Sequence, residues 1–308
     1  MGDPGGARHA AAAGLGLVAG LLSIQHPLAA QDWRHFRAAR QADGIGSLEV
    51  ELIYGAGRLE VSPSDAPFLY DARVRYDESR FQPIRGWSLE GDRGRLRLAV
   101  TSVDGAEHPE AIRLDDWNVD LDFDDLRRRG DQLGSVELGL HPAVPTDLSI
   151  KVGAAEVDLD LGGLSLHSFE FLTGASETDI SFDTPNRVRM ERLSLKAGAA
   201  QFEAHDLGNA RFDRLEFDGA IGDVLLDLSG AWDHSATAAI KMGIGELKLR
   251  VPRDIGVRIE RSSVLISLDA PEFERTDRVY LSPNWDSAAV KLDIRLEAAF
   301  GTVSVERI

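Results

Sequence analysis

The feature that most constrains this chain is a short block that recurs through its second half. A small residue, a polar residue and the start of an alternating run appear at Ala155-Glu156-Val157, Ser176-Glu177-Thr178, Ala200-Gln201-Phe202, Gly222-Asp223-Val224 and Gly245-Glu246-Leu247. Successive small residues stand 176 − 155 = 21, 200 − 176 = 24, 222 − 200 = 22 and 245 − 222 = 23 positions apart. Gly57-Arg58-Leu59 and Gly301-Thr302-Val303 are outlying copies. Between blocks lies a second alternating run: LSLHSFEF (164–171), MERLSLKA (190–197), RFDRLEF (211–217) and ATAAIKM (236–242). Strand repeats of roughly 20–25 residues are the mark of a β-solenoid, in which no rung can bury its inner face alone. A β-sandwich also has short alternating strands, at intervals of about 8–12 residues, but it does not require a regular recurrence of corners.

Stacked rungs would line one core with Val157, Leu159, Ile180, Phe182, Phe202, Val224, Leu226, Leu247 and Leu249, and turn Asp158, Asp160, Asp179, Asp227 and Glu246 outward. The small residue opening each block fits a corner where a larger side chain would crowd the next rung. Earlier segments also alternate: LEVELIY (48–54), RLEVS (58–62), DARVRY (71–76), WSLE (87–90) and GRLRLAV (94–100). The expected class is all-β: an N-terminal antiparallel β region over 46–135, then solenoid rungs of about 22 residues over 136–308. Residues 31–45 read as a linker or short helix.

The first thirty residues differ. Ala10 to Ile24 is an apolar run preceded by Arg8 and His9 and followed by Ala29 and Ala30. It is shorter than the ~20 residues that span a bilayer. A basic start, an apolar core and a small-residue exit describe a secretory signal peptide over 1–30, although cutting after Ala30 places Leu28 at the minus-three position. Retention as an N-terminal anchor is the alternative. The 308 residues carry 51 acidic against 34 basic side chains, a net charge of −17, which disfavours nucleic acid as a partner. The chain has no cysteine, so disulfides, thiolate-bound metals and a cysteine nucleophile are excluded.

Ile53-Tyr54-Gly55-Ala56-Gly57-Arg58-Leu59, Val74-Arg75-Tyr76-Asp77, Pro83, Pro145-Thr146-Asp147-Leu148, the run VGAAEVDLDLGGLSL (152–166), TGASETDISF (173–182) and the final FGTVSVERI follow one another in an order that resembles the bacterial toast-rack domain proteins. It is also similar to the β-solenoid domains of cell-wall-stress response membrane proteins and of surface adhesins. The resemblance covers about residues 46–308. It implies an envelope location and a noncatalytic β domain, and it supplies no catalytic residues. Ala155, Ser176 and Ala200 stand where the family carries glycine.

Candidate chemistry is sparse. Asp115, Asp116, Asp120, Asp122, Asp124 and Asp125 could suggest calcium, but they alternate with Trp117, Val119, Leu121 and Phe123, as the wet face of a strand would, and the EF-hand spacing is missing. Asp158 and Asp179, on adjacent rungs, could serve as the carboxylate pair a carbohydrate-active enzyme needs, but outward acids are so common on these strands that they read as solvated decoration. His35, His108, His141, His167, His205 and His234 are isolated in sequence, although His167 and His205 could approach across rungs. Trp87, Trp117, Trp232 and Trp285 are too dispersed for a sugar platform and read as core anchors or corner plugs. No nucleophile elbow or phosphate loop is present.

The reading is an exported, noncatalytic β-solenoid of the cell envelope, periplasmic or at the surface, with a binding, adhesion, scaffolding or stress-sensing role. No catalytic, cofactor-binding or metal residues are assigned and no cofactor is expected. The partner would be an envelope protein or cell-wall polysaccharide. A carbohydrate-active enzyme and a structural protein self-assembling through open solenoid ends, one of them the final VSVERI strand, are the alternatives.

Overall fold

The computed structural model describes residues 32–64, 67–103, 134–262 and 267–308. The expected signal peptide and the acidic run from Asp115 to Asp125 lie outside the described residues. Alternation of apolar and polar side chains produces strands with one dry and one wet face, and strand is the dominant element. The order is β1 (Trp33–Gln41), β2 (Ser47–Pro63), β3 (Phe68–Asp77), β4 (Phe81–Glu90), β5 (Arg93–Ser102), β6 (Ser135–Leu140), β7 (Thr146–Asp160), β8 (Leu166–Ser181), β9 (Met190–His205), β10 (Phe212–Asp227), β11 (Ala236–Val251), β12 (Gly256–Arg261), β13 (Ser267–Asp269), β14 (Glu274–Thr276), β15 (Val279–Leu281) and β16 (Lys291–Arg307). One 3-10 turn, Leu207–Ala210, separates β9 from β10. Among the described residues no helix is long and apolar enough to cross a membrane.

Strands β2, β7, β8, β9, β10, β11 and β16 form one continuous parallel ladder. The two alternating runs of each sequence repeat fuse into a single long strand with the small residue at its bend. All seven copies of the block share one column: Gly57, Ala155, Ser176, Ala200, Gly222, Gly245 and Gly301 stand in register on successive strands. At Gly222 and Gly245 the backbone has φ 143° and 138°. A Cβ there would run into the carbonyl oxygen of the preceding rung, Ala200 for Gly222 and Gly222 for Gly245. Glycine is required at these two bends both by conformation and by space.

Each end of the ladder divides at the bend. The first arm of β2 pairs in parallel with β5, which pairs antiparallel with β4. Its second arm pairs in parallel with β6, which continues antiparallel to β3 and β1. At the other end the first arm of β16 pairs with β12 and the second with β13; β12 continues antiparallel to β15 and β14. The N-terminal region is therefore antiparallel only outside β2, β5 and β6, and β2 is itself a rung. The VSVERI strand is not an open end, because β16 lies between β11 and the β12–β13 pair. The 56-residue interval from Gly245 to Gly301 (301 − 245) holds the inserted strands β12 to β15.

Residues 32–45 form neither a helix nor a linker. Trp33–Gln41 is the outermost strand, antiparallel to β3. Cross-strand contacts decide this: Arg37 Nε donates to Asp71 at 2.9 Å, Arg34 Nε to Glu78 at 2.8 Å, and the Arg75 guanidinium lies 3.8 Å from the centre of the Trp33 ring. As an edge strand with only Ala38 buried, it lacks the alternation that betrays a strand in sequence.

The nine apolar residues expected inside are all buried. Phe171, Phe202 and Phe217 stack through successive rungs with ring centres 6.2 and 5.4 Å apart. Buried amides pin the loops that return from one rung to the next. Asn186 Oδ1 accepts from Leu166 N at 2.8 Å, and its Nδ2 donates to Leu166 O at 2.8 Å; Asn209 Nδ2 donates to Phe182 O at 2.8 Å. Of the five acidic residues expected outside, Asp227 is buried. It ends β10 by accepting from Ser229 N at 2.9 Å and pairs with Arg250 at 3.5 Å, so its carboxylate folds back onto the loop.

Candidate recognition surface

The second arm of each rung turns alternate residues outward, and parallel register sets equivalent positions side by side about 4.8 Å apart. One outer column runs Glu137, Glu60, Asp158, Asp179, Glu203 across β6, β2, β7, β8 and β9. The two carboxylates expected on adjacent rungs, Asp158 and Asp179, are direct register partners. Five acidic side chains on five neighbouring strands repel one another unless they are paired.

On the first arms beside β5, Glu49 and Glu51 are paired with basic side chains. Arg93 and Arg95 both reach Glu49 at 3.2 Å, Arg97 reaches Glu51 at 3.2 Å, and Lys151 reaches Glu51 at 3.3 Å. Within the column, Arg73 meets Glu137 at 3.4 Å and Arg58 meets Glu60 at 3.7 Å. Asp158, Asp179 and Glu203 differ. Among the described residues no Lys or Arg forms an ion pair with any of them. The basic group beside them is His205, two residues along β9, whose Nε2 lies 3.3 Å from Glu203 and 3.8 Å from Asp179.

Asp179 carries the electrostatic signature of this crowding. Partial burial, with the like charges of Asp158, Glu203 and Asp183, pushes its carboxyl above the usual range, against the pull of His205. The folded state then binds a proton more readily than the unfolded chain, so this residue's contribution to stability falls as pH rises through the window between the ordinary and the raised pKa. Asp179→Asn is therefore expected to raise Tm at pH 7, with the gain shrinking toward zero below about pH 3, where the carboxyl is protonated in both states. Thermal melts of the two proteins across pH check this; a Tm that falls at pH 7 contradicts it.

Oxygen and nitrogen ligand atoms of Asp179, Glu203 and His205 lie within 4.8 Å of one another, a set able to approach a divalent cation together. His167 and His205 do not meet: His167 opens β8, whereas His205 pairs with Ser181 at its far end. Trp87 and Trp232 pack against the core as anchors, with Trp232 Nε1 donating to Leu228 O at 2.9 Å. Trp285 lies beside Lys291, whose ammonium is 5.0 Å from the ring centre. Trp117 and His108 lie outside the described residues.

Sequence reasoning missed a charged groove on the first arms, of about 680 Å³, lined by Glu49, Arg93, Arg95, Arg97, Asp147 and Glu170 among others. Arg93 bridges Glu49 and Asp147 there, both at 3.2 Å. The alternating arginines of GRLRLAV were its signal, but β5 had to be placed beside β2 before they became a wall.

A search of curated proteins found no match. Among solved structures, a putative cell adhesion protein from Clostridium sporogenes is 14% identical, with 90% of this chain and 100% of that chain covered at a TM-score of 0.46. A putative adhesin from Bacteroides fragilis is 9% identical, covering 89% and 97% at 0.31. A putative lipid binding protein from Parabacteroides distasonis is 8% identical, covering 89% and 97% at 0.24. The model of the N-terminal domain of toast_rack, DUF2154, matches residues 30–203 and 183–250, well over half of the sequence, and the chain belongs to that family.

Proposed function

We propose that this chain is an exported, noncatalytic recognition module of the cell envelope, and that the outer face of its second arms holds a basic segment of another envelope protein. The observation that carries the reading is the Asp158, Asp179 and Glu203 column. Three acidic residues stand in register with no Lys or Arg ion pair among the described residues, whereas Glu60 and Glu137 in the same column each have one. Such a face repels itself, and a partner bearing ammonium or guanidinium groups relieves that repulsion on docking. Recognition is passive: a rigid ladder fixes the spacing of the charges, so little ordering is lost when a partner binds. The apolar run from Ala10 to Ile24 supports export.

The test is site-specific photo-crosslinking in the cell, with the reactive group at Ser181, beside the column, and a control at Leu89, which lies on β4. A protein captured from Ser181 and not from Leu89, and lost in the Asp158→Asn/Asp179→Asn/Glu203→Gln variant, supports the reading. Capture of polysaccharide alone, or capture that survives the triple variant, overturns it. N-terminal sequencing of the mature protein from the envelope fraction tests export, with a start at Gln31 as the expected result and a chain confined to the cytoplasm as the contrary one.

A second reading rests on the Arg–carboxylate groove beside β5, whose lining offers charged donors and acceptors suited to a polar saccharide and, among the described residues, no aromatic platform.

A further inference from the structure

The first arms of the last four long strands carry a different surface near the bend. Lys196 on β9, Asp218 on β10, Lys241 on β11 and Glu297 on β16 stand in register. All four are exposed, and none forms an ion pair among the described residues. Three residues further along, at the bend itself, Ala199, Ile221, Ile244 and Phe300 form a second column on the same four strands. Ile221, Ile244 and Phe300 are 57%, 52% and 58% exposed, three large apolar side chains in one line. Gly219, Ala220, Gly243, Ala298 and Ala299 floor a shallow groove between the two columns. Apolar ridges of this kind mark contact surfaces.

We propose that this face docks on a second copy of the same chain, about a two-fold axis that lies in the interface and runs along the strands between β10 and β11. Such an axis reverses the order of the strands and preserves position along them. The charge column reads plus, minus, plus, minus, and its reversal is its own complement. Lys196 then faces Glu297 of the second copy, and Asp218 faces Lys241. The apolar column is matched in size by the same operation: Ile221 meets Ile244, and the largest residue, Phe300, meets the smallest, Ala199. An axis along the stack would instead set each charge against itself. An isologous contact requires a self-complementary patch, and both columns satisfy that requirement with one operator. The small residues of the groove floor allow the two sheets to approach closely. This surface is separate from the Asp158, Asp179 and Glu203 column and from the ends of the ladder, so the inference stands independently of the proposed function.

The test is sedimentation equilibrium of the purified protein and three variants, each checked for native β structure by circular dichroism. The native chain is expected to form a dimer, and Ile244→Asp to leave it monomeric. Lys241→Asp sets a carboxylate against Asp218 twice per dimer and is expected to weaken association by about tenfold or more. Asp218→Lys/Lys241→Asp restores opposite charges across the axis and is expected to recover the dimer. A chain that sediments as a monomer at every concentration, an open series of larger species, a dimer indifferent to Ile244→Asp, or a double variant as weak as Lys241→Asp alone would each overturn the proposal.

Discussion

Replacing Gly245 with valine is expected to lower the unfolding free energy by about 3–5 kcal/mol, measured by urea denaturation. Two effects combine. The backbone at Gly245 has φ 138°, a region that a β-branched residue enters only under strain. A side chain at this position would also collide with the carbonyl oxygen of Gly222, which belongs to the neighbouring strand and cannot move without shifting that rung. The damage would not stay local, since Gly301 makes the same close approach to the carbonyl of Gly245. The control is Ala200→Gly in the same column. Ala200 already accommodates a side chain, so its loss should cost only about 1 kcal/mol in backbone entropy and packing. Equal small costs at the two positions would show that the bend does not depend on glycine.

The second large effect is expected at Phe202. Phe202→Ala should cost about 3–5 kcal/mol, because the ring is fully buried and contacts the rings of Phe171 and Phe217 on the rungs to either side. Its removal leaves a gap that neither neighbour can fill, since each is fixed in its own strand by ladder hydrogen bonds. The Phe202→Ala/Phe217→Ala pair should be non-additive, as two residues sharing one cavity are. Leu89→Ala, on an exposed side chain, should change stability by less than about 0.5 kcal/mol. Comparable losses at Phe202 and Leu89 would contradict a stacked interior.

The repeat made the ladder legible. A corner residue, a polar residue and an alternating run recur because every rung meets the same steric demands, and all seven copies fall in one column. The nine apolar residues read as core follow from the same alternation. What the repeat could not convey is non-local. β1 is an edge strand held by arginine contacts to residues more than thirty positions away, so its own sequence has no strand period. Asp227 looks outward by parity, but it ends a strand, where a carboxylate accepts from the following backbone. The insertion of β12 to β15 is invisible as pairing, because those strands are short and two of them, β14 and β15, turn antiparallel. Asp158 and Asp179 could be placed on adjacent rungs from spacing alone. That Glu203 and His205 complete the group, and that no Lys or Arg among the described residues forms an ion pair with its carboxylates, required the three-dimensional register.

The acidic column is the docking face of the proposed module. The most direct test measures the affinity of the partner captured from Ser181 for the native chain and for the Asp158→Asn/Asp179→Asn/Glu203→Gln variant over a range of salt. The amides keep the shape of the face and remove its charge. The expected result is about tenfold or greater weakening at low salt, with a flatter salt dependence in the variant. Affinity and salt dependence that match those of the native chain would contradict the account.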